Sequence, residues 1–227
     1  MSSKLWTQAL EEVKRSPYDH EPRNQFIKEA RMLLNKIYKS FENYQLKFHK
    51  NDRSLKKAIW MLQIDALDTL RDSIELIDQK KHRIVGKMFR DVLEKLDLAS
   101  LFYEKGESDR TYLEKWYDGE IIEHRKYREH LQSRFGAEAS NNQKEFYKEL
   151  SQWIHPTYYV LGNSYCLGEG EMLGYDSHSE LLISPWTISQ YMWMLSLLIQ
   201  VFIDRIENCG LVSTDEINTA WIEATGE

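Results

Sequence analysis

Asp52-Arg53-Ser54-Leu55-Lys56-Lys57-Ala58-Ile59-Trp60-Met61-Leu62-Gln63-Ile64-Asp65-Ala66-Leu67-Asp68-Thr69-Leu70-Arg71-Asp72-Ser73-Ile74-Glu75-Leu76-Ile77-Asp78-Gln79 is the stretch whose reading decides the fold. Leu55, Ile59, Leu62, Ala66, Leu70, Ile74 and Ile77 recur at steps of three and four, which draws one apolar stripe along a helix. Asp52 is placed to cap its start. Lys80-Lys81-His82 stands at its end, where cations suit the helix dipole. Upstream, Phe26, Ala30, Leu33, Ile37, Phe41, Tyr44 and Phe48 predict a second such helix over Asn24–His49. Downstream, Ile84, Met88, Val92, Leu96 and Ala99 predict a third over Arg83–Tyr103, broken by Lys105-Gly106-Glu107-Ser108 with Ser108 or Asp109 as the next cap. Residues 23–155 contain no proline, so long helices meet no obstacle there.

Further along, 109–135 reads as two segments around Asp118-Gly119, stopped by Gly136. Ser140-Asn141-Asn142 reads as a loop or cap, with a helix running on to Ile154. Pro156 disfavours helical backbone at His155, so that helix ends there. Residues 157–182 read as a surface loop with one short helix. Ser184-Pro185 opens an apolar helix that runs to Asn208, with Gly210 past its end. Thr214 begins a last short helix carrying Ile217, Ala220 and Trp221. The fold class is therefore all-α, a bundle of long antiparallel helices around a buried apolar helix near the C-terminus. Residues 1–22 read as a loosely attached N-terminal segment, 23–210 as the bundle and 211–227 as a short C-terminal helix.

Composition agrees. The 227 residues are 42% hydrophobic and 29% charged, with 13 Tyr, 8 Phe and 7 Trp to fill a core. Ten Gly and four Pro are about half the average usage, which excludes a turn-rich all-β fold. A net charge of -6 excludes a generally polyanion-binding surface. The basic clusters Lys47–Lys57 and Lys80–Arg90 lie at opposite ends of one long helix, about 40 Å apart. A third cluster spans Arg125–Arg134. Two cysteines, Cys166 and Cys209, build no disulfide framework. With no apolar signal-like core at the N-terminus they point to a reducing, cytoplasmic setting. Ile183–Ile203 carries no charge, but Ser184, Thr187, Ser189, Gln190, Ser196 and Gln200 interrupt it, so it reads as a buried helix and no membrane partner is expected.

Phosphate-loop, Cys-x-x-Cys and His-Glu-x-x-His motifs are absent from the sequence, and Glu120-Ile121-Ile122-Glu123-His124 matches a di-iron pattern only in part. Neither metal nor other cofactor is expected. Three constellations stand out. In the first, Lys148 and His155 are seven residues apart, so they fall within about 20° on a helix, with Ser151 between them. That face offers a cation, a hydroxyl and an imidazole for proton transfer and phosphate binding. The plainer reading makes His155 a helix C-terminal cap. In the second, Arg125 and His130 are five apart, about 140° around a continuous helix, which suits a solvated basic face. In the third, Arg90 and Glu94 have the spacing of an ordinary helical ion pair.

Arg90-Asp91-Val92-Leu93-Glu94, Tyr147-Lys148-Glu149-Leu150-Ser151 and His155-Pro156-Thr157 resemble, in this order, uncharacterised bacterial members of the HEPN superfamily; the resemblance spans roughly residues 52–205. It implies a helical, usually dimeric domain. It also implies metal-independent endoribonuclease activity through an Arg-x4-6-His motif, or a non-catalytic role as scaffold or toxin–antitoxin component, often in phage defence. His155 matches the motif histidine. Lys148 stands where the motif has Arg, which keeps the charge but loses the bidentate grip on phosphate. Arg125 and His130 match the motif literally and form a reserve pair, while Arg90 and Glu94 are supporting residues. The expected partners are an RNA substrate, a partner protein of a defence or toxin–antitoxin system, and a second copy in a symmetric homodimer. Trp153, Tyr158, Tyr159 and Trp193 supply aromatic surface beyond what one bundle needs.

Overall fold

The computed structural model describes residues 2–16, 20–44, 46–79, 81–155, 158, 161–162, 166–167, 172–173 and 185–226. Its helices are α1 (Leu10–Arg15), α2 (His20–Asn43), α3 (Leu55–Asp78), α4 (His82–Lys105), α5 (Thr111–Tyr117), α6 (His124–Ile154), α7 (Pro185–Cys209) and α8 (Thr214–Thr225). A 3-10 turn at Lys4–Trp6 precedes them. The all-α reading holds. Most of the loop expected at 157–182 lies outside the described residues. Within it, Cys166–Leu167 pairs antiparallel with Met172–Leu173.

Ion pairs fix the registers. Arg31 on α2 meets Glu75 and Asp78 on α3 at 2.6 and 2.7 Å, so these helices run antiparallel. Lys95 on α4 bonds Asp65 on α3, which sets the next antiparallel pair. Phe89 packs at a tilt on Tyr191, with ring centroids 6.3 Å apart, and Asp97 lies 3.9 Å from Arg205, so α4 and α7 run side by side in the same direction. The largest core gathers Phe26, Leu67, Phe89, Leu195 and Phe202 between α2, α3, α4 and α7. A second cluster, around Ile59, Phe102, Leu113, Ile122, Tyr127 and Cys209, seats α5 and the first half of α6. The uncharged helix is accordingly core: Met192, Leu198, Ile199 and Phe202 are fully buried, and among the described residues no helix is long and apolar enough to cross a membrane.

Several boundaries differ from the expectation, each for a local reason. α2 ends at Asn43 instead of His49. Tyr44 is exposed and donates to Glu216 on α8, while Phe48 turns to pack on Trp60. The turn between is fastened by the buried Lys57 ammonium, which donates to the carbonyls of His49, Lys50 and Asp52 at 2.7–3.0 Å. Ser54 caps α3, and Asp52 instead accepts from the Ser54 amide and hydroxyl. Ser140-Asn141-Asn142 is helical, because the chain leaves the helix at Gly136 alone (φ 86°, ψ 175°) and resumes at once. His155 is extended, as its neighbour Pro156 demands.

The first sixteen residues are not loosely attached. Leu5, Trp6 and Val13 are buried in the main core. The buried Glu29 carboxylate accepts from the Ser3 amide, the Trp6 indole and Gln25. On the other side, Trp193, Ser196 and Gln200 of α7 donate to the carbonyls of Gln8, Leu5 and Trp6. The C-terminal helix belongs to the same core through Ile217, Ala220 and Ala224. It starts with a capping box, Ser213 and Glu216 each bonding the other's backbone amide.

Candidate functional site

The second half of α6 lies along α4 because Leu150 is fully buried and Phe146 and Tyr147 pack on the core. Helical spacing then turns Lys148 outward. Its side chain is exposed and sits 3.6 Å from the Glu145 carboxylate. Ser151 is half-buried and donates to the Tyr147 carbonyl at 2.7 Å, the back-bond to its own helix that serine makes in helix interiors. His155 is exposed at the end of the helix. The three residues therefore share one helix end, with the serine proton engaged inside the helix.

Arg90 and Glu94 form the pair that their spacing implies, Nε to Oε1 at 2.8 Å. It is more than a surface pair. Tyr147 reaches across from α6 and donates to the same Glu94 oxygen at 2.6 Å. The Arg90 guanidinium lies over the Tyr147 ring, 4.7 Å from its centroid. A cation, a carboxylate and a phenol thus lock α4 to α6 one residue before Lys148. Burial, and then the Glu94 carboxylate, push the Tyr147 phenol well above its ordinary range, while Arg90 pulls the other way. The phenol stays a donor at neutral pH.

The reserve pair separates. Arg125 is exposed and pairs with Glu129 at 3.3 Å. His130 is buried on the opposite side, with Nδ1 3.3 Å from the Glu104 carboxylate. The first half of α6 is continuous from His124 to Gly136, so a spacing of five keeps the two side chains on different faces. Below them Tyr127 donates to the Ile122 carbonyl, and burial with the Glu94 and Asp97 carboxylates pushes its phenol up to about 12.

The sequence pattern does not single out two side chains near the site. Tyr147 is one; its tie to Glu94 spans 53 residues of chain and leaves no local signal. Glu149 is the other. It is half-buried, and burial raises its carboxyl above the usual range, while Lys14 of α1 opposes the rise. Among the described residues no group of three His, Cys, Asp or Glu is placed to hold a metal ion. Comparison of the chain with protein-family models, curated proteins and solved structures finds no match.

Proposed function

We propose that this chain is a HEPN-like, metal-independent endoribonuclease of a bacterial defence or toxin system, acting in the cytoplasm as a symmetric homodimer. The observation that supports it best is the Arg90–Glu94–Tyr147 lock, which joins both motifs of the resemblance at one place and holds the Lys148–Ser151–His155 helix end against α4. In this reading the RNA's own 2′-oxygen attacks the adjacent phosphorus and the bond to the 5′-oxygen breaks. The products are a 2′,3′-cyclic phosphate and a free 5′-hydroxyl. His155 takes the 2′-hydroxyl proton or supplies one to the leaving oxygen, and Lys148 faces the charge that builds on the phosphoryl oxygens. Ser151 orients the imidazole or the phosphate once its proton leaves the Tyr147 carbonyl. Arg90 and Glu94 support the helix through Tyr147.

A second reading has its own support: a non-catalytic helical module that binds a partner protein of such a system. Lys148 is neutralised by Glu145, Arg90 by Glu94, and the whole chain carries a charge of -6, which favours a protein partner over a polyanion. Incubation with mixed RNA in the presence of a chelator separates the two. Cleavage that survives chelation, vanishes in His155→Ala and rises in Lys148→Arg is expected for the nuclease. A folded protein that leaves RNA intact, in wild type and in Lys148→Arg alike, refutes it in favour of the module.

A further inference from the structure

Lys144 is exposed on the second half of α6, and among the described residues no carboxylate pairs with it. It stands four residues before Lys148, seven before Ser151 and eleven before His155. Gly136 is the one non-helical position inside α6, so the helix runs unbroken from there to Ile154. On such a helix these spacings place each of the three within about 40° of Lys144. The opposite side is spoken for: Leu150 is fully buried and Phe146 packs on the core. Lys144 and Lys148 are therefore successive cations on one outward face, about 6 Å apart along the axis. Lys148 has the Glu145 carboxylate 3.6 Å away, and both of those side chains are exposed, so the pair is weak and gives way to a stronger anion. The surroundings favour an anion too. Residues 124–148 carry six Lys and Arg against three Glu, a local charge of +3 in a chain of -6.

We infer that Lys144 is a further RNA-binding residue: it holds the phosphate one nucleotide away from the one that Lys148 faces, so that the strand runs along the Lys144–Lys148–His155 face of α6. The inference rests on the RNA reading above and narrows its substrate. The stripe is one side chain wide and about 16 Å long, which fits a single extended strand and gives a duplex only one edge to touch. Each lysine meets one phosphate as a point charge, so the contact positions the strand without reading its bases.

The test separates binding from cleavage. A short fluorescent single-stranded RNA with methylated 2′-hydroxyls, which cannot be cleaved through its 2′-oxygens, is titrated onto the full chain at several salt concentrations. Lys144→Gln should weaken binding by about two- to fivefold. It should also lower the slope of log affinity against log salt by about 0.7, the share of one phosphate on a single strand. Lys56→Gln removes the same charge from an exposed position on α3 and should change neither. Glu145→Gln should tighten binding, because Lys148 loses its carboxylate neighbour. No loss in Lys144→Gln, or an equal loss in Lys56→Gln, overturns the track; if unmodified RNA is still cleaved, the nuclease reading stands without it. A folded wild type that neither binds nor cleaves RNA overturns both. Binding of poly-glutamate that depends on Lys144, with no binding of RNA, overturns the assignment in favour of an acidic protein surface.

Discussion

Tyr127 shows how one buried hydroxyl sets a pH dependence. Burial first, and then the Glu94 and Asp97 carboxylates, move its phenol from 10.0 to about 12. The folded chain therefore holds this proton more tightly than the unfolded chain does. The stability it contributes is complete below pH 10.0 and is lost as pH rises toward about 12. Tyr127→Phe also gives up the bond to the Ile122 carbonyl, so it should lose about 1 kcal/mol at neutral pH. Between those two pH values its urea midpoint should then fall less steeply than that of the wild type; parallel declines would contradict the assignment. The same scale explains what the sequence conceals. His130 and Arg125 satisfy a motif by spacing, yet a continuous helix sends one into the core and the other to solvent. Little that is local marks Glu29 as buried, since of its donors only Gln25 is a helical neighbour, while Ser3 and Trp6 lie more than twenty residues away.

At the scale of elements, periodicity carries most of the information. α2, α3, α4 and α7 are legible because each buries a regular stripe, and tertiary packing simply completes it. Where the pattern is thin, reading fails. Residues 3–8 have too few apolar positions to show a period, and they are held by the burial of Leu5 and Trp6 together with hydrogen bonds to α2 and α7. Ser140-Asn141-Asn142 carries the residues of a cap but lies within a helix, because the break is already made at Gly136. That glycine takes φ 86° and ψ 175°, a region that residues with a Cβ essentially never occupy. There is open space around it, so the cost of substitution is conformational and not steric. Gly136→Ala should destabilise by about 1–3 kcal/mol, read from thermal or urea unfolding. A neutral effect would mean that α6 straightens at that point. The candidate site divides in the same way. The Lys148–Ser151–His155 face follows from helical spacing, whereas the Arg90–Glu94–Tyr147 lock depends on how α4 and α6 dock.

For the whole molecule the governing fact is the position of α7. It touches α1, α2, α3, α4, α8 and the N-terminal turn, and its uncharged residues form the centre of the main core. Amides in such a helix open only with the largest cooperative unit. Hydrogen exchange should therefore be slowest across 188–206 and fast in α5, a helix of seven residues that fully buries a single side chain, Leu113. Fast exchange in α7 would show that the core is organised around α3 and α4 alone. The seating of residues 3–8 in the core also has an optical consequence. Trp6 and Trp221 face each other edge-on, 64° apart in plane and 5.2 Å between centroids. Two indoles so close share their excited states, and the pair gives a split band in circular dichroism that neither gives alone. The pair thus reports on whether the N-terminal turn is seated on α8. The band should be absent in Trp221→Phe and in Trp6→Phe alike.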